Sequence, residues 1–311
     1  MSTVQFPRPF SPFQAARDEY LLAIEMEGLS PATVQKYRGA ITRFARFAGE
    51  VDPATIDATL LRRFTKQVAD DGRTTSTQAT YLIALKRWLT WLADEGGYGV
   101  DARSFVRAKA PRVIQEPIVP LTEAEIARVV AAVAGQSFRA QRLRAMIMLL
   151  LDTGIRQSEI LGLRIRDLDL EAGEITVRPI TDKTRKGRTI ALGRRGKLEM
   201  SRWWNRHRYR EDRDCTPDAP LFIQHSGDAI TRDGFQMMLK RLSWRLHLHL
   251  HPHKFRHTFA ILALRGGMNP FVLQHILGHR DLTMTKRYLA IVDADVRDAK
   301  RANSPLDKIK F

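Results

Sequence analysis

A proline-containing segment near residue 110 most constrains how this chain can fold. Residues 109–120 read KAPRVIQEPIVP, with three prolines and no apolar periodicity. Such a segment favours an extended connection, because each proline removes a backbone donor and restricts the residue before it. We therefore predict two domains, residues 1–112 and 121–311, joined by a linker at 113–120. A chain of 311 residues is long enough for each domain to bury a core of its own.

The first domain is predicted to be a bundle of four helices. Apolar residues recur at steps of three and four within 13–24, 34–44, 60–68 and 76–93. Ser30-Pro31 supplies an N-cap and a first-turn proline for the second of these segments.

The second domain is predicted to be mainly helical with a small β-sheet. Thr122 and Glu125 form a T-x-x-E capping box, and an apolar helix then ends at Gly154. The segments GEITVRP and GRTIAL flank the polar tip TDKTRK and indicate a β-hairpin. A further strand is predicted at 221–223, within a region that is helical from about Lys197 onward.

The charge balance indicates a polyanionic partner. The chain has 51 Lys and Arg against 34 Asp and Glu, a net charge of +17. Residues 1–112 carry 16 basic and 12 acidic residues, or +4, which leaves +13 for residues 113–311. Nucleic acid is the partner that such a surface favours. A membrane is excluded because no apolar run reaches the roughly 18 residues of a spanning helix and no signal peptide opens the chain.

The cysteine content indicates a reducing compartment. Cys215 is the only cysteine, so no disulfide can form within the chain, and we predict a cytoplasmic protein. Cys215 lies in the polar stretch EDRDCTPD, which is typical of an incidental surface cysteine, and a reactive nucleophile is the alternative.

Four short segments of the second domain carry residues suited to chemistry. Each has an ordinary structural interpretation, as a surface cation, a surface His/Arg pair, a core tyrosine or a solvated turn. Their residues are Arg156 in TGIRQSEILGL, Lys183, Arg185 and Lys186 in TDKTRKG, His253 and Arg256 in HPHKFRH, and His279 and Tyr288 in LGHRDLTMTKRYL.

Alternating histidines before Arg256 raise the alternative of a metal site. His247, His249, His251 and His253 would share one face of a strand. The apolar pattern instead continues a helix from Trp244 to Leu250, on which residues i and i+2 diverge. Zinc sites also mix imidazole with other ligands at other spacings. We therefore predict no metal and no cofactor.

In order and spacing, these motifs resemble those of the tyrosine recombinases, the phage integrases and Xer-type resolution enzymes. The resemblance covers about residues 120–295, and the N-terminal bundle looks like the core-binding domain of that family. It implies a catalytic domain of mixed α/β type and six catalytic residues: Arg156, Lys183, His253, Arg256, His279 and Tyr288. The hairpin is about one residue longer than in Xer-type enzymes, which leaves open whether Lys183 or Lys186 is the general acid.

The reaction implied by the resemblance is transesterification at a DNA phosphodiester. Tyr288 would attack phosphorus and form a 3′-phosphotyrosine, while Arg156 and Arg256 hold the non-bridging oxygens. His253 would serve as general acid/base and His279 as a second donor to the phosphate. Lys183 would protonate the leaving 5′-oxygen, and neither ATP nor a metal ion is implied.

Two neighbours of these residues are interpreted separately. Glu159, three residues after Arg156, either orients a catalytic side chain or is an ordinary carboxylate at a helix start. His257 is predicted to face away from Arg256 on its helix and is left out of the site.

The implied partner is double-stranded DNA with inverted half-sites. Four identical subunits would assemble on two duplexes, from a monomer free in solution, with a C-terminal tail docking on a neighbour. The alternatives are a type IB topoisomerase or telomere-resolving strand transferase, a repressor that keeps only the fold, and a metal-dependent nuclease. The full set of six residues disfavours the repressor, and the lack of an Asp/Glu cluster at ligand spacing disfavours the nuclease.

Overall fold

A computed structural model of the chain describes residues 11–95, 97–113, 117–179, 187–209, 213–279 and 281–302. The chain divides into two compact units, the first ending before residue 117 and the second beginning there. Apolar side chains are buried in separate cores in the two units. The prediction of a mainly helical chain with one small sheet is confirmed.

The first unit contains the four predicted helices and one short helix that was not predicted. They are α1 (Pro12–Met26), α2 (Pro31–Ala48), α3 (Ala58–Asp70), α4 (Thr75–Glu95) and α5 (Ala102–Phe105). Ser30 caps α2 by accepting a hydrogen bond from the Thr33 amide, with Pro31 in the first turn. Trp88 of α4 is fully buried, and its indole N–H donates to the carbonyl of Ala16 in α1 at 3.2 Å.

In the described part of the chain, the second unit contains eight α-helices and a small sheet. The helices are α6 (Glu123–Ala132), α7 (Phe138–Thr153), α8 (Gln157–Gly162), α9 (Arg194–Trp203), α10 (Arg232–Leu246), α11 (Pro252–Arg265), α12 (Pro270–Leu277) and α13 (Thr283–Ala302). The predicted capping box opens α6, because Thr122 and Glu125 accept hydrogen bonds from each other's backbone amides.

The predicted hairpin is confirmed within a three-stranded antiparallel sheet. Its strands are β1 (Leu168–Asp169), β2 (Glu174–Val177) and β3 (Arg188–Ala191), in the order β1-β2-β3. Ile175 of β2 pairs with Ile190 of β3, and both side chains are buried. The hairpin tip, with Lys183, Arg185 and Lys186, lies outside the described residues.

The prediction of a strand at 221–223 is wrong. Only isolated bridges occur there, between Arg164 and Pro220 and between Ile223 and Ala229. All three residues of the segment are buried, and the Leu221 amide donates to the Leu163 carbonyl. The apolar run therefore fills the core beside Trp203, with which Phe222 stacks, instead of pairing in a ladder.

The helix predicted to continue through Leu250 ends earlier. α10 stops at Leu246, and His247 adopts the left-handed conformation with φ 52°. The Ser243 hydroxyl accepts from the Leu250 amide and holds the chain in its turn toward α11. The argument that a helix separates these histidines is therefore wrong. Among the described residues, however, no group of three metal-ligating side chains is placed to hold an ion. Within the same ranges, no helix is both long and apolar enough to cross a membrane.

Candidate active site

The junction of α7 and α8 places Arg156 beside α11 and α12. Gly154 ends α7 in the left-handed conformation with φ 61°. A Cβ there would lie 2.3 Å from a ring carbon of Phe259 and 2.8 Å from a methyl of Leu277. Only glycine therefore allows this close approach. Arg156 follows two residues later as the N-cap of α8.

The C-terminus of α12 gathers three arginines. Arg156 donates to the carbonyls of Leu277 and Gly278, at 3.1 and 3.2 Å. Arg256 donates to the same Leu277 carbonyl at 2.8 Å, and Arg188 donates to the Ile276 carbonyl at 2.5 Å. The last carbonyls of a helix have no partner within it and carry the negative end of its dipole, so they suit cations. This helix end therefore brings guanidinium groups from three elements together.

Glu159 is the counterion of this cluster. Its carboxylate accepts from Arg156 at 3.0 Å and from both terminal nitrogens of Arg188, at 3.2 and 2.9 Å. Burial alone would raise the pKa of Glu159, but the hydrogen bonds and charge of Arg188, together with Arg156, lower it to about 2. Of the two interpretations left open, the contacts favour a carboxylate that orients Arg156.

Replacement of Glu159 should lower the free energy of unfolding by an amount that depends on pH. Glu159→Gln is expected to lower the free energy of unfolding by about 3 kcal/mol at pH 7, since buried Arg188 and half-buried Arg156 lose their counterion. The pKa of the folded state is depressed, so the deficit should be full above about pH 4.5 and should shrink as pH falls toward 2. Urea unfolding at pH 7 and pH 3 measures it, with exposed Glu171→Gln as the control. A deficit of equal size at both pH values would contradict the assignment.

Arg188 was missed in the sequence. It shares the inward face of β3 with Ile190 and is buried. A charged residue in phase with a buried isoleucine on a short strand requires a partner, and this period-two pattern was the available indication.

Of the two arginines predicted for the site, Arg256 is the more buried. Its side chain is 4% exposed and donates to the Gly154 carbonyl at 2.7 Å, as well as to Leu277. Burial, reinforced by the charge of Arg156, lowers the pKa of Arg256 to about 10, so it remains a cation at neutral pH.

His279 lies next to Arg256 in its neutral form. The guanidinium of Arg256 is 2.9 Å from His279 Nε2. Because arginine can only donate, Nε2 accepts, and the ring proton is on Nδ1, which donates to the Thr285 hydroxyl at 3.0 Å. Burial and the charges of Arg256 and Arg156 lower the pKa of His279 to about 4.

Tyr288 lies on α13 with its hydroxyl against α11. The residue is 2% exposed, and its ring stacks with that of His279 at a centroid distance of 6.3 Å. The hydroxyl is 2.9 Å from Nδ1 of His257. Burial raises the pKa of Tyr288, while the positive charges of Arg256 and Arg287 act in the opposite direction. The group is therefore a phenol at neutral pH.

The prediction that His257 faces away from the site is wrong. His257 is four residues after His253, hence one helical turn along the same face of α11. The two rings lie with centroids 6.2 Å apart, and it is His257 that contacts Tyr288. The i, i+4 spacing was the indication in the sequence. His253 is the more exposed of the two, although desolvation by its neighbours and the charges of Arg256 and Arg156 lower its pKa.

The structure brings together five of the six predicted residues: Arg156, His253, Arg256, His279 and Tyr288. The sixth, Lys183, lies outside the described residues. A phenol beside two guanidinium groups and neutral imidazoles can attack a phosphodiester, because cations stabilise the negative charge that develops on the phosphate oxygens.

Known proteins are similar to this chain in both sequence and fold. A model of the phage integrase family matches residues 120–294, and one of the phage integrase N-terminal SAM-like domain matches residues 18–96. Tyrosine recombinase XerC of Thermodesulfovibrio yellowstonii is 28% identical over 287 residues, 91% of this chain and 93% of the relative. Tyrosine recombinase XerD of Ralstonia nicotianae is 31% identical over 292 residues, 90% of each chain.

The fold is also that of a solved DNA complex. The Tn1549 transposon integrase in complex with transposon right end DNA has a TM-score of 0.74 at 21% identity, covering 93% of this chain and 99% of that one. The family model includes every motif from Arg156 to Tyr288, and the XerD relative matches nine-tenths of the length. On these grounds the chain belongs to the phage integrase family, the tyrosine site-specific recombinases that act on DNA.

Proposed function

We propose that this recombinase exchanges strands between two DNA duplexes through a 3′-phosphotyrosyl intermediate on Tyr288. The observation that carries the proposal is the position of Tyr288, whose hydroxyl lies 2.9 Å from Nδ1 of His257 and whose ring stacks on His279, the imidazole that buried Arg256 contacts at 2.9 Å. Arg256 in turn shares the Leu277 carbonyl with Arg156. A nucleophile and a pair of phosphate-binding cations therefore lie side by side.

The two arginines are the phosphate clamp. A guanidinium presents several donors in a plane and stays charged, so Arg156 and Arg256 hold the non-bridging oxygens as charge builds on them. Backbone carbonyls and Glu159 fix the two side chains before DNA arrives, which lowers the reorganisation needed at the moment of reaction.

The remaining groups handle protons and the leaving oxygen. His253 is a general acid/base at the edge of the site, and Lys183 on the hairpin tip protonates the 5′-oxygen. His279 is the second donor to the phosphate. Its Nε2 accepts from Arg256 in the DNA-free protein, so this role requires a proton on Nε2, gained by protonation or by a change of tautomer in which Nδ1 accepts from Thr285.

The partner is double-stranded DNA, consistent with the net charge of +17. In the first unit, Arg38, Arg43 and Arg46 line a shallow depression with Tyr81, where phosphates can be held. Inverted half-sites would each bind one subunit, and four subunits, monomeric when free, would join two duplexes. The biological role is integration, excision or resolution of DNA.

A nicked suicide substrate tests the proposal. The short strand beyond the scissile phosphate diffuses away after cleavage, so the covalent complex accumulates and is visible on a denaturing gel. We expect the full-length protein to retain a 5′-labelled fragment through a 3′-phosphotyrosine bond, equally well in EDTA. Loss of the adduct on chelation, with recovery on adding magnesium or zinc, would contradict a metal-independent reaction.

Strand exchange between two duplexes separates recombination from a topoisomerase-like reaction. Two labelled duplexes with the same site should yield recombinant products in a reaction that depends on both partners. Relaxation of supercoiled DNA or hairpin formation from a single duplex, without recombinant products, would favour the type IB topoisomerase or telomere-resolving alternative.

A further inference from the structure

The contact between His257 and Tyr288 joins the phenolic oxygen to a ring nitrogen on a neighbouring helix. His257 lies on α11, Tyr288 on α13, and Nδ1 is 2.9 Å from the hydroxyl oxygen. Tyr288 is a phenol in the DNA-free protein, since burial raises its pKa. With the ring proton of His257 on Nε2, Nδ1 accepts a hydrogen bond from the phenol, and this is the tautomer in which it can take up the phenolic proton.

We propose that His257 is the group that accepts the phenolic proton as Tyr288 attacks DNA. The inference rests on the proposed function and assigns a residue outside the six that the motifs predicted. In this step the O–H bond breaks and its proton moves to Nδ1, while the phenolic oxygen forms a bond to phosphorus. The bond from phosphorus to the 5′-oxygen breaks, and that oxygen leaves with a proton from the general acid. Reversal returns the proton from His257 to Tyr288.

The charges around His257 keep its ring neutral in the DNA-free protein. Burial, with the charges of His253, His251, Arg256 and Arg287, lowers its pKa to about 4. These groups face it from its own helix and from α13, which also carries Tyr288. The ring is therefore neutral before DNA binds. A scissile phosphate adds negative charge at this point, and a nearby anion favours the protonated imidazole that the step produces.

The geometry favours His257 over His253 for this role. A general base must lie within hydrogen-bonding distance of the proton it removes. His257 meets that condition, whereas His253 lies one turn earlier on α11 and stacks on His257 at 6.2 Å. The positive charge of Arg256 lowers the pKa of Tyr288, so it stabilises the phenolate that forms as the proton leaves.

Three variants and two substrates test the assignment. His257→Ala should slow single-turnover adduct formation on the nicked substrate by about 10²-fold or more, since this is the usual contribution of a positioned general base. His257→Asn keeps an acceptor close to the position of Nδ1 but cannot take up the proton, and it should stay slow. Exposed His249→Ala, outside the site, should react like the wild type. DNA binding measured for each variant checks the fold.

Chemical rescue distinguishes proton transfer from a structural role. Added imidazole should restore a large part of the rate of His257→Ala, because His257 is only half-buried and its absence leaves room for the base. A substrate with sulfur at the 5′-bridging position has a good leaving group that needs no acid. The defect of His257→Ala should persist on it, since the missing group acts on the nucleophile.

Opposite outcomes would overturn the assignment. These are a His257→Ala rate equal to or above that of the wild type, no rescue by imidazole in a variant that binds DNA normally, or full rescue by the sulfur substrate. Tyr288→Phe separates the two levels of inference. An adduct in that variant would reject the proposed function itself, whereas its absence beside a fully active His257→Ala would reject only the role of His257.

Discussion

Tyr288→Phe is expected to abolish the covalent protein–DNA adduct, a loss of about 10⁴-fold or more, because the nucleophilic oxygen is removed. The substitution keeps the ring, which is 2% exposed and stacks with His279, so the core of the second unit should stay intact. Nδ1 of His257 loses its partner, but this side chain is only half-buried and water can replace the hydroxyl.

A denaturing gel with labelled suicide DNA measures the adduct, and a native gel measures binding. The expected pattern is no adduct with nearly unchanged affinity. An adduct formed at the wild-type rate by the phenylalanine variant would mean that Tyr288 is not the nucleophile.

Arg256→Lys is expected to reduce the rate of adduct formation by about 10²–10³-fold, the usual effect of removing one preorganised donor to a developing charge. The guanidinium donates to the Gly154 and Leu277 carbonyls from two nitrogens, and it also contacts His279. An ammonium is a single point charge and cannot reproduce this planar arrangement.

The matched control is Arg265→Lys, the same change at an exposed position in the last turn of α11. It should retain the wild-type rate. Equal rates for Arg256→Lys and Arg265→Lys would mean that the guanidinium of Arg256 is not part of the phosphate clamp.

Local patterns predicted most of the secondary structure. The apolar stripes of α1 to α4, the capping box at Thr122 and the hairpin of β2 and β3 are each encoded within a few residues, and each is confirmed. The two errors share a cause. At 221–223 and after Leu246, the chain is held by contacts outside its own periodic pattern, with Trp203 and with the hydroxyl of Ser243.

The site was predictable as a set of residues and not as a set of contacts. Motif spacing identified Arg156, His253, Arg256, His279 and Tyr288, because their order along the chain is itself the pattern. Motif spacing did not identify Arg188, which lies on a strand outside the motifs. It also excluded His257, although His257 lies one helical turn after His253 and on the same face of α11. The role of Lys183 stays a prediction.

Periodicity and motif spacing predicted most of the elements, the resemblance to the tyrosine recombinases and five side chains that converge. The contacts that hold these side chains became visible only in the folded chain. Arg256 donates to a carbonyl 102 residues away at Gly154, and Arg156 to one 121 residues away at Leu277. Backbone carbonyls are present at every residue and carry no mark in the sequence. Which of them are left unpaired at a helix end, and which side chains reach them, is fixed only when α7, α11 and α12 pack together.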